Sequence, residues 1–263
     1  MFRNDASAVA TRAGCVTNSY VLYEMKFRKQ SVWPRRLDFF SCRLHDARPM
    51  HPSSPTMPAF LFDLDGTLLD SSGDLADAAN VARAVLGLPP LSDTEVALQT
   101  GRGLAALLAG VLPDAREDEI ERGRAAFVEH YGKNLMVRSR PYPGVPAMFD
   151  ALAGHLLALV TNKPAMFTMP LLVRLGWRDR FPVVVCGDTT PERKPAAGPL
   201  LHAIRQLDLN PADCVFVGDT PIDQEAAESA GVRFVCVSWG RAAATAGRVV
   251  ERLDTLPELF RDG

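Results

Sequence analysis

The sequence lacks the features that mark several large classes of protein. No apolar run reaches the roughly 18 residues that a helix needs to cross a bilayer, so we expect no membrane partner. There is no excess of basic residues, since the formal net charge is −2, and nucleic acid is not indicated as a partner. The 47% hydrophobic content still suffices for a full core, as one large domain or as a body with a smaller insert.

Cysteine pairs at the spacing of zinc or redox sites are also absent. The chain of 263 residues has five cysteines and no CxxC motif. Cys186, Cys214 and Cys236 stand in or beside apolar, strand-like runs. We therefore expect reduced, buried thiols and a cytoplasmic protein, rather than disulfides or a zinc site.

The first 57 residues differ from the rest of the chain in charge and in pattern. They contain nine lysine and arginine residues against four acidic ones, show no sustained apolar period and lead into the Pro- and Ser-rich stretch ARPMHPSSPTMP. This composition predicts a disordered extension over residues 1–57, with Met57 as the natural start of the protein. A transit peptide is the alternative, although Glu24 and Asp38 disfavour it.

From Ala59 onward, short β-rich runs alternate with helical stretches such as 196–208 and 221–230. The runs are almost continuously apolar, as expected for parallel strands that are buried on both faces. They are AFLFDLD, HLLALVTN, PVVVCGD, DCVFVGD and VRFVCVS. The predicted fold class is therefore α/β, with a doubly wound parallel sheet.

A long stretch of helical composition separates the first two of these runs. It spans roughly ninety residues, whereas a crossover between parallel strands needs only about a dozen. Most of the stretch is therefore surplus to the sheet. We predict a helical cap domain over residues 73–140, inserted after the first strand, and a catalytic core formed by residues 58–72 and 141–263.

Acidic side chains stand at the ends of predicted strands. Asp63 and Asp65 end the first strand, and Asp219 ends the fourth, with Asp223 four residues further on. The carboxyl ends of parallel strands line one crevice, where these carboxylates would repel one another unless a cation lay among them. An all-oxygen set of this kind suits Mg²⁺. Asp223 could instead serve only the first turn of its own helix.

A hydroxyl and a lysine are predicted to reach the same crevice. Thr161 ends the second strand, and Lys194 lies in the loop after the third. Together they could hold an anion, and phosphate is the anion that fits beside a magnesium site. Each residue alone also has a plain explanation, since Thr161 could be structural and Lys194 could be a solvated charge beside Arg193.

In this order, the motifs resemble those of the haloacid dehalogenase superfamily. The motifs are DLDGT, the Thr of VTNK, the Lys of RKPAAGPL, and GDTPIDQEAAESAG. The resemblance covers residues 58 to about 240 and implies a Rossmann-like core with a cap. It implies that Asp63 is the nucleophile that takes the phosphoryl group as an aspartyl-phosphate. Asp65 would be the general acid that protonates the leaving oxygen and then the base that activates water.

The same resemblance implies the residues that bind phosphate and metal. Thr161 and Lys194 would hold the phosphoryl oxygens, and Asn162 would join them in binding the substrate. Asp219 would ligate Mg²⁺ together with a carboxylate oxygen of Asp63 and the backbone carbonyl of Asp65. Asp223 would orient these ligands.

Within the superfamily, TNKPAMFTMPLLVRLG followed by VVCGDTTPERKPAAGPL looks most like the phosphoglycolate phosphatase group. Dehalogenases lack the second aspartate, here Asp65, and mutases tend to carry a serine-rich second motif. Gly198 and Thr220 stand where relatives often have Asp and Ser. The implied function is a Mg²⁺-dependent phosphatase of a small phosphorylated metabolite, with 2-phosphoglycolate as the first substrate. The alternatives are a phosphatase of sugar phosphates or pyrophosphate, a phosphomutase, and a non-catalytic phosphate-binding module.

The stretch TGRGLAALL, at residues 100–108, is the candidate for substrate recognition by the cap. Gly-Arg-Gly ahead of a predicted helix is a flexible loop, whose N–H groups and Arg102 could meet a substrate carboxylate. A plain turn between helices with a solvated arginine would account for the same residues. The sequence carries no signal of the oligomeric state.

Overall fold

A computed structural model describes residues 57–243 and 245–260. The prediction of a disordered extension over residues 1–57 therefore lies outside the described residues, apart from Met57. The described part of the chain has eight strands. They are β1 (Ala59–Phe62), β2 (Leu69–Asp70), β3 (Arg140–Pro141), β4 (Leu157–Val160), β5 (Val183–Val185), β6 (Cys214–Gly218), β7 (Arg233–Val237) and β8 (Val249–Val250).

The larger sheet has six strands in the order β5-β4-β1-β6-β7-β8, and every pairing in it is parallel. In β1, Phe60 and Phe62 contribute to the core on one face, while Ala59 and Leu61 contribute to the core on the other. Burial on both faces explains the continuous apolar runs of the sequence. The predicted α/β class with a parallel sheet is confirmed.

Eight α-helices accompany these strands within the described residues. They are α1 (Ser72–Ala84), α2 (Asp93–Ala97), α3 (Leu104–Val111), α4 (Glu117–Lys133), α5 (Val145–Ala151), α6 (Ala165–Arg174), α7 (Gly198–Gln206) and α8 (Pro221–Ala230). None of the helices within residues 57–243 and 245–260 is both long and apolar enough to pass through a bilayer.

Helix α8 matches its predicted range because strong local signals mark both of its ends. The Thr220 hydroxyl accepts the N–H of Asp223, whose side chain accepts the N–H of Thr220 in return. Pro221 begins the helix, and Gly231 ends it in the left-handed conformation. A capping box with an initial proline and a terminal glycine marks both ends of a helix by local signals alone.

The segment between β1 and β4 contains helices α1 to α5, as its composition predicts, and also the short strands β2 and β3. These strands pair antiparallel, with Leu69 opposite Pro141. Close by, the Asp74 carboxylate accepts hydrogen bonds from the backbone N–H groups of residues 137–139 and from the Ser139 hydroxyl. The two ends of the insertion are therefore fastened together. The cap bounds of 73–140 stay a prediction.

Candidate active site

Asp63 follows β1 directly and is almost fully buried, with 5% of its surface exposed. Its N–H donates to the carbonyl of Val217 on β6, which fixes the backbone at the sheet edge. Burial raises the pKa of Asp63 to about 6, although the nearby positive charge of Lys194 opposes the rise. Its Oδ1 forms an ion pair with Lys194 but accepts no hydrogen bond of good geometry from any described residue. A buried carboxylate oxygen in this state is open to a further ligand.

Lys194 joins two of the predicted acidic residues. Its Nζ lies 2.9 Å from Oδ1 of Asp63 and 2.7 Å from Oδ1 of Asp223. Burial disfavours the ammonium charge, but the two carboxylates outweigh that effect and raise the pKa of Lys194 above its ordinary value. The site therefore contains a fixed positive charge beside Asp63.

Asp219 and Asp223 lie at the end of β6 and in the first turn of α8. The Thr67 hydroxyl donates to Oδ1 of Asp219 at 3.0 Å. Burial, reinforced by the charges of Asp223 and Asp63, raises the pKa of Asp219 well above its ordinary value. Asp223 Oδ2 accepts the N–H and the hydroxyl of Thr220, so its helix-capping role and its place in the site are compatible.

Three buried carboxylates form a cluster that could bind a metal ion. Asp63, Asp219 and Asp223 each offer an oxygen, and these oxygens lie within 4.8 Å of one another. The donor set is all oxygen, which fits a hard cation such as Mg²⁺. Gly66 passes so close that an added Cβ would collide with the Asp219 carboxylate. Its φ of 90° also favours glycine.

The carboxylate cluster and the predicted set of metal ligands differ in one residue. Asp223 lies with Asp63 and Asp219, whereas the carboxylate of Asp65 contacts Lys163 and Ser71 instead. The predicted ligand from Asp65 is its backbone carbonyl, so the carboxylate is free for other contacts. The metal-binding roles of these residues stay predictions.

Thr161 and Asn162 follow β4 and are buried at the same edge. The Asn162 side chain accepts the N–H of Lys194 at 3.0 Å and donates to its carbonyl at 2.8 Å. It also donates to the carbonyl of Gly101 at 2.9 Å. Asn162 thus positions the backbone of Lys194 and links it to the loop before α3, while its predicted contact with substrate is not tested.

A second buried ion pair involves Asp65. Nζ of Lys163 lies 2.9 Å from both oxygens of Asp65 and donates to the Tyr131 hydroxyl at 2.7 Å. The Ser71 hydroxyl donates to Oδ1 of Asp65 at 2.6 Å. Sequence reasoning assigned no role to Lys163, although it belongs to the quoted motif VTNK, and nothing in the local sequence marks Tyr131.

An open cleft of about 500 Å³, including space continuous with solvent, lies over these residues. Its polar wall includes Asp63, Asp65, Thr161, Asn162 and Lys163. Its apolar wall consists mainly of Leu75, Leu104, Leu107, Phe127 and Phe167, which come from the inserted helices and from α6. Residues predicted from two separate strand ends therefore line one cleft, and Lys194, Asp219 and Asp223 adjoin it through their closeness to Asp63.

Arg102 is the predicted site residue that the structure does not bring into this group. Its neighbours Gly101 and Gly103 line the cleft, but Arg102 itself is exposed. It forms no hydrogen bond or ion pair with another residue in the described part of the chain. Its contact with a substrate carboxylate stays a prediction.

Known proteins resemble this chain over most of its length. The family model for haloacid dehalogenase-like hydrolases matches residues 60–237. A phosphoglycolate phosphatase from Chromobacterium violaceum is 40% identical over 215 residues, covering 78% of this chain and 97% of the relative. An N-acetylmuramic acid 6-phosphate phosphatase from Pseudomonas aeruginosa is 37% identical over 187 residues, covering 70% of this chain and 83% of the relative.

Among solved structures, a crystal structure described as a predicted phosphoglycolate phosphatase from Haemophilus somnus superposes with a TM-score of 0.73. It is 31% identical and covers 77% of this chain and 97% of its own. These relatives confirm the predicted enzyme class, a phosphoric monoester hydrolase. The chain belongs to the haloacid dehalogenase-like hydrolase family.

Proposed function

We propose that this protein is a Mg²⁺-dependent phosphatase that hydrolyses a small phosphomonoester through an aspartyl-phosphate on Asp63. The observation that carries the proposal is buried Asp63, whose Oδ1 accepts no hydrogen bond of good geometry, next to Lys194 and among the carboxylates of Asp219 and Asp223. A carboxylate nucleophile needs an unblocked oxygen and a nearby positive charge to receive a phosphoryl group.

In the first step, an oxygen of Asp63 bonds to phosphorus while the bond to the leaving oxygen breaks, and Asp65, which enters this step in its protonated form, gives its proton to that oxygen and becomes a carboxylate. In the second, water attacks the phosphorus of the aspartyl-phosphate and gives a proton to Asp65, releasing phosphate and restoring Asp63. Lys194 and Thr161 hold the phosphoryl oxygens in both steps. Asp63, Asp219 and the backbone carbonyl of Asp65 would hold Mg²⁺, which when bound would supply further positive charge beside the phosphoryl group.

2-Phosphoglycolate is the first substrate we propose, because the C. violaceum relative carries the name of that phosphatase. N-acetylmuramic acid 6-phosphate is the second candidate. The P. aeruginosa relative is named for it, and the apolar wall of the cleft suits the methyl groups of an acylated sugar acid. The proposed partner is a small phosphorylated metabolite, and the proposed location is the cytoplasm.

A kinetic screen of the purified protein tests this proposal. The value of kcat/KM is measured by phosphate release for both candidates, for other sugar phosphates and for pyrophosphate, with Mg²⁺ and with excess chelator. We expect one of the two candidates to exceed the others by at least about tenfold, since differential binding of the leaving group sets specificity. Full activity in the presence of chelator would reject the metal dependence, and a flat profile would reject both substrates.

A further inference from the structure

Lys163, which the proposed mechanism leaves without a role, forms a buried ion pair with Asp65 in the cleft. The Lys163 side chain is 4% exposed and that of Asp65 is 19% exposed. Burial of an ammonium group is costly unless its partners are close and well oriented. Burial disfavours the charge, but Asp65 and the Tyr131 hydroxyl raise the pKa of Lys163 above its ordinary value.

The ammonium group of Lys163 has an acceptor for each of its three N–H bonds. The acceptors are Oδ1 and Oδ2 of Asp65, both at 2.9 Å, and the Tyr131 hydroxyl at 2.7 Å. With no donor left over, Lys163 is not arranged to bind a substrate carboxylate. It acts on Asp65 instead, by restraining the carboxylate along both of its oxygens.

Lys163 is itself supported on both the core side and the side of the inserted helices. Its N–H donates to the Thr161 hydroxyl oxygen at 3.2 Å, and its carbonyl accepts the N–H of Gly187 at 3.0 Å. Tyr131 belongs to α4 and is fully buried, with its ring packed edge-on against Phe167 at a centroid distance of 4.9 Å. Helix α4 therefore reaches Asp65 through the Tyr131 hydroxyl and the Lys163 ammonium group.

We propose that Lys163 is the positioning residue that holds Asp65 in place for proton transfer, and that Tyr131 fixes Lys163 from helix α4. This inference rests on the proposed function, in which Asp65 protonates the leaving oxygen. A general acid that is misplaced by about an ångström loses much of its effect, because proton transfer needs hydrogen-bond contact.

Substrates whose leaving groups differ in their need for a proton can distinguish positioning of Asp65 from a purely structural role of Lys163. The value of kcat/KM covers the steps up to formation of the aspartyl-phosphate. 2-Phosphoglycolate and glycerol 2-phosphate both release an alkoxide that requires protonation, and only the first has a carboxylate. The p-nitrophenolate released from p-nitrophenyl phosphate is stable without a proton.

The variants are Lys163→Met, which keeps the length of the side chain, and Tyr131→Phe, which keeps the ring. For Lys163→Met we expect kcat/KM to fall about a hundredfold for both alkyl phosphates and less than about fivefold for p-nitrophenyl phosphate. Tyr131→Phe should show the same selectivity with a loss of about three- to tenfold for the alkyl phosphates. Lys133→Met, an exposed position on the same helix, is the matched control and should leave all three values unchanged.

Equal losses for all three substrates would overturn the proposal in favour of a structural role. A loss confined to 2-phosphoglycolate would overturn it in favour of carboxylate recognition. Unchanged values of kcat/KM would overturn it by showing that the Lys163–Asp65 ion pair does not contribute to catalysis. If Lys163→Met fails to fold by circular dichroism, Tyr131→Phe decides the question by the same ratio. Failure of the proposed function is distinct, because it would appear as undiminished turnover in Asp63→Asn whatever the Lys163 variants do.

Discussion

Nζ of Lys194 lies 2.9 Å from Oδ1 of Asp63, and both side chains are buried. The same ammonium group also contacts Asp223, so one positive charge is shared by two buried carboxylates. Its loss would leave both acids without a positively charged partner, which is the costly case for buried ion pairs.

We therefore expect Lys194→Met to lower the free energy of unfolding by about 3 to 5 kcal/mol in metal-free protein. Urea denaturation in the presence of chelator measures this change. Lys133→Met is the control, because it loses only a solvent-exposed ion pair with Glu129 and should cost under about 1 kcal/mol. Equal, small effects of the two variants would contradict the importance of the buried pair.

Binding of Mg²⁺ should stabilise the folded protein, because the cation would separate the carboxylates of Asp63, Asp219 and Asp223. At about a hundred times its dissociation constant, Mg²⁺ should add about 2.7 kcal/mol to the free energy of unfolding and raise the melting temperature. Asp219→Asn should lose most of this response, while the exposed Asp150→Asn should retain it. If added Mg²⁺ leaves the melting temperature of the parent protein unchanged, the proposed metal site is contradicted.

Arg102 is exposed in the structure, and its predicted contact with a substrate carboxylate can be tested by mutation. If its guanidinium meets a substrate carboxylate when the cleft is filled, Arg102→Ala should lower kcat/KM for 2-phosphoglycolate by about ten- to a hundredfold. Hydrolysis of p-nitrophenyl phosphate should hardly change, and the exposed Arg122→Ala serves as the control. Unchanged kcat/KM for 2-phosphoglycolate would leave Arg102 as a solvated side chain in a turn.

Asp74 should stabilise the insertion in a pH-dependent manner. Burial opposes the ionised form, but hydrogen bonds from Ser139 and from the backbone of residues 137–139 outweigh it and hold the pKa of Asp74 below its ordinary value. A lowered pKa in the folded state means that this contribution is present above the unfolded pKa and is lost as the pH falls through the folded value.

We expect Asp74→Asn to lower the free energy of unfolding by about 2 to 3 kcal/mol at pH 7, with a difference from the parent that shrinks below about pH 4. Denaturation curves between neutral and acid pH measure this. Asp77→Asn, which loses only a half-exposed ion pair with Arg138, should cost under about 1 kcal/mol. A difference between Asp74→Asn and the parent that grows with acidity would contradict the assignment.

The sheet and the strand-end residues could be predicted because their signals are local. Apolar runs that end in Asp63, Thr161 and Asp219 place polar groups at one edge of a parallel sheet, whatever the details of packing. Helix α8 could likewise be predicted because its capping residues act within a few positions of its own ends.

Other features could not be predicted because they depend on contacts between distant parts of the chain. Strands β2 and β3 have two residues each, which is too short to show alternation, and they pair across the whole insertion. Asp74 and Ser139 are 65 positions apart, and Tyr131 and Lys163 are 32 apart. Which buried polar groups meet is decided by helix packing, and a motif read along the sequence does not contain that information.

Turnover and covalent trapping in Asp63→Asn test directly whether Asp63 is the nucleophile. The amide is nearly isosteric with the carboxylate but cannot serve as the nucleophile. We expect the parent, quenched during turnover, to contain a phosphoryl group on the peptide that includes Asp63. The variant should fold normally, carry no phosphoryl group and release no phosphate above background. Phosphate release within about tenfold of the parent, or an adduct on another residue, would contradict the aspartyl-phosphate mechanism.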